Sequence, residues 1–98
     1  MAAYLLAVCE ITNPTEDMKL YAQKSAELIK KHGGEYIVRG KPAQDIEGEV
    51  LQNKVIILSR FPSLADVDAF VNGDDYQTNV KPLREGSGNY HIAVYEAP

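Results

Sequence analysis

The segment Tyr4-Leu5-Leu6-Ala7-Val8-Cys9-Glu10-Ile11 is apolar along both faces of an extended chain. Successive side chains of a β-strand point to opposite sides of the sheet. One side of this strand therefore presents Tyr4, Leu6, Val8 and, near its end, Glu10, and the other presents Leu5, Ala7, Cys9 and Ile11. An antiparallel strand with one solvent-exposed face alternates apolar and polar residues. The pattern here predicts instead a strand that is covered on both sides.

Around this segment the chain repeats one unit, a strand followed by a helix and a second strand. The first helix reaches about His32, and the second begins at about Ser63. The four predicted strands are Tyr4–Ile11, Glu35–Arg39, Lys54–Phe61 and Tyr90–Glu96. This order predicts an α+β fold, a ferredoxin-like βαββαβ sandwich with a four-stranded antiparallel sheet. A chain of 98 residues has room for a single domain, which we expect to span residues 1–98.

Glycine and proline mark the ends of these elements. Either Asn13 or Thr15 caps the first helix, and Gly33-Gly34 ends it, because glycine accepts the left-handed conformation of a C-cap. Gly40-Lys41-Pro42 follows the second strand. Since proline cannot donate to a ladder, that strand is predicted to be an edge strand or to contain a bulge. Asp74 or Asp75 then starts a short third helix.

Two helices can cover only one face of the predicted sheet, which leaves the second apolar face without a cover. Monomers rarely expose a contiguous apolar patch larger than roughly a few hundred Å². The simplest cover is a second copy of the chain, which predicts a homodimer formed through the sheet faces. The alternative is that residues 40–53 and the short third helix fold over the open face.

Composition and charge narrow the range of partners. The net charge of −4 argues against nucleic acid, because phosphate binding needs clustered basic residues and the ten present are scattered among fourteen acidic ones. The run Met1–Val8 has no basic flank and is too short for a signal peptide or a membrane-spanning helix. The single cysteine, Cys9, is predicted to be a buried and unreactive thiol. Together these features predict a cytoplasmic protein with no membrane partner.

No strong catalytic motif is present in the sequence. It contains no phosphate-binding loop, no paired cysteines and no nucleophile elbow. His32 is predicted to end a helix and His91 to begin a strand, and each position has an ordinary structural explanation. The sequence therefore predicts no metal site and no bound cofactor.

A series of short motifs is more distinctive. They are Gly33-Gly34-Glu35-Tyr36-Ile37-Val38-Arg39-Gly40, Glu47-Gly48, Phe61-Pro62-Ser63, Asp75-Tyr76-Gln77 and Lys81-Pro82-Leu83-Arg84. In this order and spacing, the chain resembles the family called domain of unknown function 1330 over nearly its whole length. The resemblance implies a ferredoxin-like fold that pairs as a dimeric α/β barrel, in a family without established activity. The chain departs from the usual pattern of this family in two places. The segment Thr12–Asp17 is slightly longer, and no tryptophan follows Gly48.

Four polar residues of these motifs form the candidate site, namely Arg39, Glu47, Tyr76 and Arg84. In a ferredoxin-like fold their segments can meet at one edge of the sheet. Two guanidinium groups and a phenol would bind a small carboxylate or enolate, because arginine supplies paired, permanently charged donors. Glu47, ionised beside the arginines, is a candidate base. The alternative is an Arg–Glu ion pair that fixes the loop to the core, with Tyr76 as packing.

Three functions are open on these observations. The first is the binding of a small anionic or carboxylate ligand in a cleft at the sheet edge. The second is a cofactor-independent small-molecule enzyme, isomerase-like or monooxygenase-like, which rests on analogy with other dimeric α/β barrels. The third is a structural homodimer with no ligand. A filled interior beside Arg39 and Tyr76 would favour the third.

Overall fold

The computed structural model of the protein describes all 98 residues and contains the predicted elements in the predicted order. The strands are β1 (Ala3–Ile11), β2 (Glu35–Gly40), β3 (Val55–Phe61) and β4 (Gly88–Glu96). The main helices are α1 (Glu16–Lys31) and α2 (Leu64–Val71). A short third helix consists of a π-helical turn at Asp75–Val80 and a 3₁₀ turn at Lys81–Arg84. None of the helices is both long and apolar enough to cross a membrane.

The four strands form one antiparallel sheet in the order β2-β3-β1-β4, which confirms the ferredoxin-like α+β prediction. In the central strand, Leu6 lies opposite Leu58 of β3 and Ala93 of β4. Paired residues share a face, so these three lie side by side on the face without helices. Alternate residues of β1, such as Leu5, point towards the helices instead.

The start of α1 is fixed by a side-chain cap. The Thr15 hydroxyl oxygen accepts a hydrogen bond from the Met18 N–H at 3.1 Å, while the backbone of Thr15 is extended. Of the two caps that the sequence allowed, Thr15 is therefore the one used. The N–H group of Asn13 instead donates to the Ser87 carbonyl at 2.9 Å, which ties the helix entrance to the turn before β4.

The end of α1 follows the predicted glycine signal. Gly33 has a φ of 82°, and its N–H donates to the Lys30 carbonyl, while the N–H of Gly34 donates to the Ile29 carbonyl. This pair of bonds is the Schellman arrangement that satisfies the last carbonyls of a helix. A Cβ atom on Gly34 would lie 2.9 Å from the Phe61 ring. The absence of a side chain there lets the end of α1 pack directly on β3.

β2 is an edge strand, as predicted, and it also contains a bulge, but the bulge lies at Ile37 and not at Gly40-Lys41-Pro42, where the glycine and proline signals stand. Tyr36 lies opposite Ser59, and Arg39, three residues further on, lies opposite Ile57, only two residues away in β3. The extra residue is Ile37. Because the bulge shifts the alternation of side chains, Tyr36 and Arg39 point to the same face, the one that carries the helices.

The closed core occupies the end of the sheet where β1 begins and β3 ends. Its buried residues are Ala3, Ile29, Phe61, Val67, Phe70, Tyr76 and Val80. The Phe70 ring connects this group, since its centre lies 5.8 Å from that of Phe61 and 5.0 Å from that of Tyr76. Towards the other end of β1 the side chains beneath α1 do not close, and they surround a cavity.

The second face of the sheet has no cover within the chain. The short third helix packs against α1 and α2, on the opposite side. Residues 41–54 do not cover the face either, because the apolar side chains of that loop stay in solvent, with Ile46 exposed by 90%. Val38 and Tyr95, both on the open face, remain about half exposed. The structure thus keeps the uncovered apolar surface that the strand pattern predicted.

Candidate functional site

A cavity of about 520 Å³ lies between α1 and the helix-facing side of the sheet. Sixteen of its 22 lining residues are hydrophobic, and they include Leu5, Ile29, Ile57 and Phe70. Small-molecule sites have volumes of about 300–1,000 Å³ and combine apolar walls with a few polar groups. This cavity has the size and the lining of such a site. Its polar groups come from α1, from the short third helix and from β2.

Arg84 ends the short third helix and brings a guanidinium group to the cavity wall. Its Cζ atom lies 4.2 Å from the centre of the Tyr90 ring and 5.8 Å from that of Tyr21. The four ion pairs of the protein do not involve Arg84. Its Nε atom is buried and has no hydrogen-bond partner. A buried donor without a partner costs about 1–3 kcal/mol, so an anion in the cavity would satisfy a group that the protein leaves unpaired.

Two phenols meet beside this guanidinium group. The hydroxyl oxygens of Tyr21 and Tyr76 lie 2.8 Å apart, and the rings meet edge to face. Each hydroxyl has one proton, so one phenol donates to the other and the second has a proton left for a third group. Burial raises the pKa of Tyr21 far above its ordinary value, Tyr76 raises it further, and Arg84 opposes the shift. The phenol of Tyr21 therefore stays neutral and is suited to donating a hydrogen bond rather than to acting as a base.

Arg39 lines the cavity from the opposite edge strand, because the bulge in β2 turns it towards the helices. Its Cζ atom lies 4.9 Å from the centre of the Tyr36 ring. Burial raises the pKa of Tyr36, and the charge of Arg39 partly opposes this shift. Arg39 is more exposed than Arg84, so it stands at the rim of the cavity.

Cys9 also lines the cavity, and only 6% of its surface is exposed. Burial raises the pKa of its thiol, and the charge of Arg84 partly opposes this shift. This effect of Arg84 on the Cys9 thiol could not be predicted from the sequence, because no basic residue is adjacent to Cys9 along the chain. Burial is the larger of the two effects, so the thiol stays protonated at neutral pH.

The structure brings together three of the four residues that the sequence placed in one site. Arg39, Tyr76 and Arg84 line the same cavity, whereas Glu47 is exposed and does not line it. Glu47 lies within residues 41–54, the loop between β2 and β3, in which almost every residue is exposed. Glu47 also makes no ion pair with either arginine, so the structural Arg–Glu pair is not formed.

The position of the site also differs from the expected cleft at one edge of the sheet. Arg39 belongs to the edge strand β2, and Arg84 precedes β4, which is the opposite edge. The cavity therefore runs across the sheet beneath α1. The bulge at Ile37 and the inward position of the third helix produce this arrangement, and neither has a strong local signal in the sequence.

Sequence reasoning did not include Tyr21 and Tyr90 in the site. Tyr21 fits the apolar stripe of α1, and Tyr90 begins the last predicted strand, so neither position has a local signal for a role in binding. The available signal was chemical: a buried phenol needs a hydrogen-bond partner. Tyr21 finds its partner in Tyr76, a residue that the sequence did place in the site.

The fold and the cavity define a ferredoxin-like α+β protein with a ligand-sized space beneath its first helix. The family model described as a domain of unknown function, DUF1330, matches residues 2–98, and the chain belongs to this family. No curated protein sequence matches it.

Solved structures share the fold at low sequence identity. A protein of unknown function from Rhodopseudomonas palustris is 14% identical, with a TM-score of 0.74 over 99% of this chain and 82% of that one. SnoaB, a cofactor-independent oxygenase from Streptomyces nogalater, is 6% identical, with a TM-score of 0.67 over 99% of this chain and 93% of that one. A dimeric protein of unknown function with a ferredoxin-like fold, from Bacteroides fragilis, is 12% identical, with a TM-score of 0.55 over 98% of this chain and 96% of that one.

Proposed function

We propose that this protein binds a small molecule with an apolar body and an anionic group, such as an aromatic carboxylate, in the cavity beneath α1. The observation that carries the proposal is the state of Arg84. Its guanidinium group lines an apolar cavity, makes no ion pair and keeps a buried Nε without a partner. Hydrogen bonds to charged groups contribute about 1.5–3 kcal/mol, and a bound anion is the missing partner.

The other polar groups support the same ligand chemistry. The Tyr21–Tyr76 pair offers a neutral donor next to Arg84, which suits a carboxylate or an enolate oxygen. Arg39 provides a second cation at the opposite rim. The proposed site thus retains Arg39, Tyr76 and Arg84 and leaves out Glu47, which is too exposed to contact a ligand in this cavity.

A thermal-shift screen of small aromatic and aliphatic carboxylates, followed by calorimetry on the best binder, tests this proposal. Arg84→Gln should weaken binding by about ten- to hundredfold, since one charge-assisted hydrogen bond is lost. Arg60→Gln is the matched control, because Arg60 is exposed and pairs with Glu35 at 3.7 Å, outside the cavity. Equal binding by wild type and Arg84→Gln would contradict the proposal, as would the absence of any binder.

A second candidate is a cofactor-independent enzyme, favoured by the likeness in fold to SnoaB. A guanidinium group and a neutral phenol could stabilise the enolate or phenolate form of a substrate. The lining includes no carboxylate and no imidazole that would serve as an obvious general base, so binding without chemistry ranks first. Oxygen consumption with an enolisable aromatic substrate, lost in Arg84→Gln, would reverse this order.

A purely structural homodimer ranks last, because the interior beside Arg39 and Tyr76 is open rather than filled.

We also propose that two copies pair through the open faces of their sheets, as a dimeric α/β barrel. The open face carries Leu6, Leu58 and Tyr95, and no part of the chain covers it. Burying one large apolar side chain is worth about 1.5–3 kcal/mol, so covering several of them favours association strongly. The dimeric neighbour from Bacteroides fragilis, which has the same fold class, supports this pairing.

A further inference from the structure

A second pocket, of about 290 Å³, adjoins the cavity. We call the space beneath α1 the inner cavity and this second space the outer pocket. Four residues line both of them, namely Gln77, Lys81, Arg84 and Tyr90. The two spaces differ in the types of residue that line them. Most residues around the inner cavity are hydrophobic, whereas only one of the eight residues around the outer pocket is.

Among the residues that line both spaces, Arg84 and Tyr90 stack on each other, and we call this pair the shared wall. A buried serine holds this pair in place. The Ser87 hydroxyl donates to the carbonyl of Arg84, so it receives its own bond from the hydroxyl of Tyr90. The Ser87 carbonyl also accepts from the N–H groups of Thr12 and Asn13, each at 2.9 Å. Ser87 therefore fixes the backbone of Arg84 and the phenol of Tyr90 relative to each other.

The charges around the outer pocket are not balanced by partners in the protein. Lys81 and Arg84 line it, and neither makes an ion pair. Glu85 is the single acidic residue of its lining, and its side chain is exposed. The outer pocket thus has one more positive than negative charge among its lining residues. The unpaired ammonium group of Lys81 makes an anionic group the favoured occupant of this space.

We infer that the ligand is an elongated diacid with two unlike halves. Its apolar body occupies the inner cavity, one carboxylate contacts Arg84 at the shared wall, and a second anionic group extends into the outer pocket beside Lys81. This inference rests on the proposed function, since it specifies the ligand class of the same site. It adds that the outer pocket is part of the binding site and that Lys81 determines specificity for a second charge.

Two probe acids with the same apolar group test the inference by calorimetry. Phenylpropanoate has one carboxylate, and benzylsuccinate has two. Wild-type protein should bind benzylsuccinate more tightly. Lys81→Gln should reduce that preference by about two- to fivefold, as expected for an exposed charge pair, because it should weaken the binding of benzylsuccinate more than that of phenylpropanoate. Glu85→Gln should increase the preference, because it removes the repelling carboxylate. Lys24→Gln, an exposed lysine of α1 outside both spaces, should leave it unchanged.

The outcomes separate this inference from the proposed function. If both acids depend on Arg84 but the preference is the same in Lys81→Gln and wild type, the diacid inference is wrong and the proposed function stands. If Lys81→Gln weakens both acids equally, the outer pocket is not a separate subsite, and the inference is again wrong. If neither acid binds wild-type protein while another monoacid does so through Arg84, the inference also fails. If no acid of any kind binds, the proposed function itself is wrong.

Discussion

Tyr21 and Tyr76 lie 55 positions apart in the sequence, yet their hydroxyl oxygens are 2.8 Å apart at the junction of the core and the cavity. Tyr76 is only 5% exposed, so its hydroxyl has few alternatives to this bond. The pair joins α1 to the short third helix, and that helix carries Arg84. The contact therefore supports the position of the one cation on which ligand binding is proposed to depend.

Removing either hydroxyl should deprive the other one of its partner in this pair. Tyr21→Phe and Tyr76→Phe should each lower the free energy of unfolding by about 1–3 kcal/mol. The double variant should cost less than the sum, because it strands no hydroxyl, with a coupling of about 0.5–3 kcal/mol. Urea denaturation of the four proteins measures this cycle. Strictly additive losses would show that the bond contributes nothing to stability.

Tyr21 should also make the protein sensitive to alkaline pH. Its pKa is raised in the folded state, whereas in the unfolded chain the phenol ionises near its ordinary value of 10.0. As the pH rises, the unfolded state loses this proton first, so the stabilisation is complete below about pH 10 and declines above it. Tyr21→Phe should show a smaller fall in unfolding free energy between about pH 9.5 and 11. Equal falls in the two proteins would contradict the shifted pKa.

Arg84 should matter little for stability, in contrast to its role in binding. It makes no ion pair, so Arg84→Ala strands no carboxylate, and the stacking on Tyr90 is worth about 0.5–1 kcal/mol. The free energy of unfolding should therefore fall by about 1 kcal/mol or less in urea titrations. A loss above about 3 kcal/mol, typical of a disrupted buried pair, would identify Arg84 as a structural residue instead.

Leu6 tests the proposed pairing through the open face. Leu6→Glu places a charge at the centre of that face, where a partner subunit would bury it without compensation, so the dimer should dissociate. Leu20→Glu on α1 is the matched control, since Leu20 is 40% exposed and does not line the cavity. Analytical ultracentrifugation at micromolar concentration distinguishes the two. A wild-type monomer under these conditions would refute the dimer.

Cys9 should react slowly with thiol reagents in the native protein. Its burial and raised pKa leave little accessible thiolate at neutral pH. Labelling should be slow in buffer and complete in urea, and a carboxylate that fills the cavity should slow the native reaction further. The rate measured with and without ligand checks both points. Rapid native labelling would show that the cavity opens far more readily than its packing indicates.

The sequence predicted those features that depend on local patterns. The alternation within Tyr4–Ile11 gave the two-faced strand, and Gly33-Gly34 gave the end of α1. The site was predicted less completely because it depends on long-range geometry. Whether Glu47 lies near the arginines depends on the conformation of the loop that carries it, and no local sequence pattern specifies that conformation. Tyr21 has the spacing of a packing residue, and only the folded chain reveals its hydrogen-bond partner.

The bulge at Ile37 decides which face of the sheet carries the charge of Arg39. If β2 paired regularly with Ile37 in the ladder, Arg39 would lie opposite Ile56 and its charge would fall on the open, apolar face. Deleting Ile37 would remove the bulge and leave Arg39 opposite Ile57, on the face that carries the helices. One unpaired residue therefore keeps a permanent charge out of the surface proposed for subunit contact.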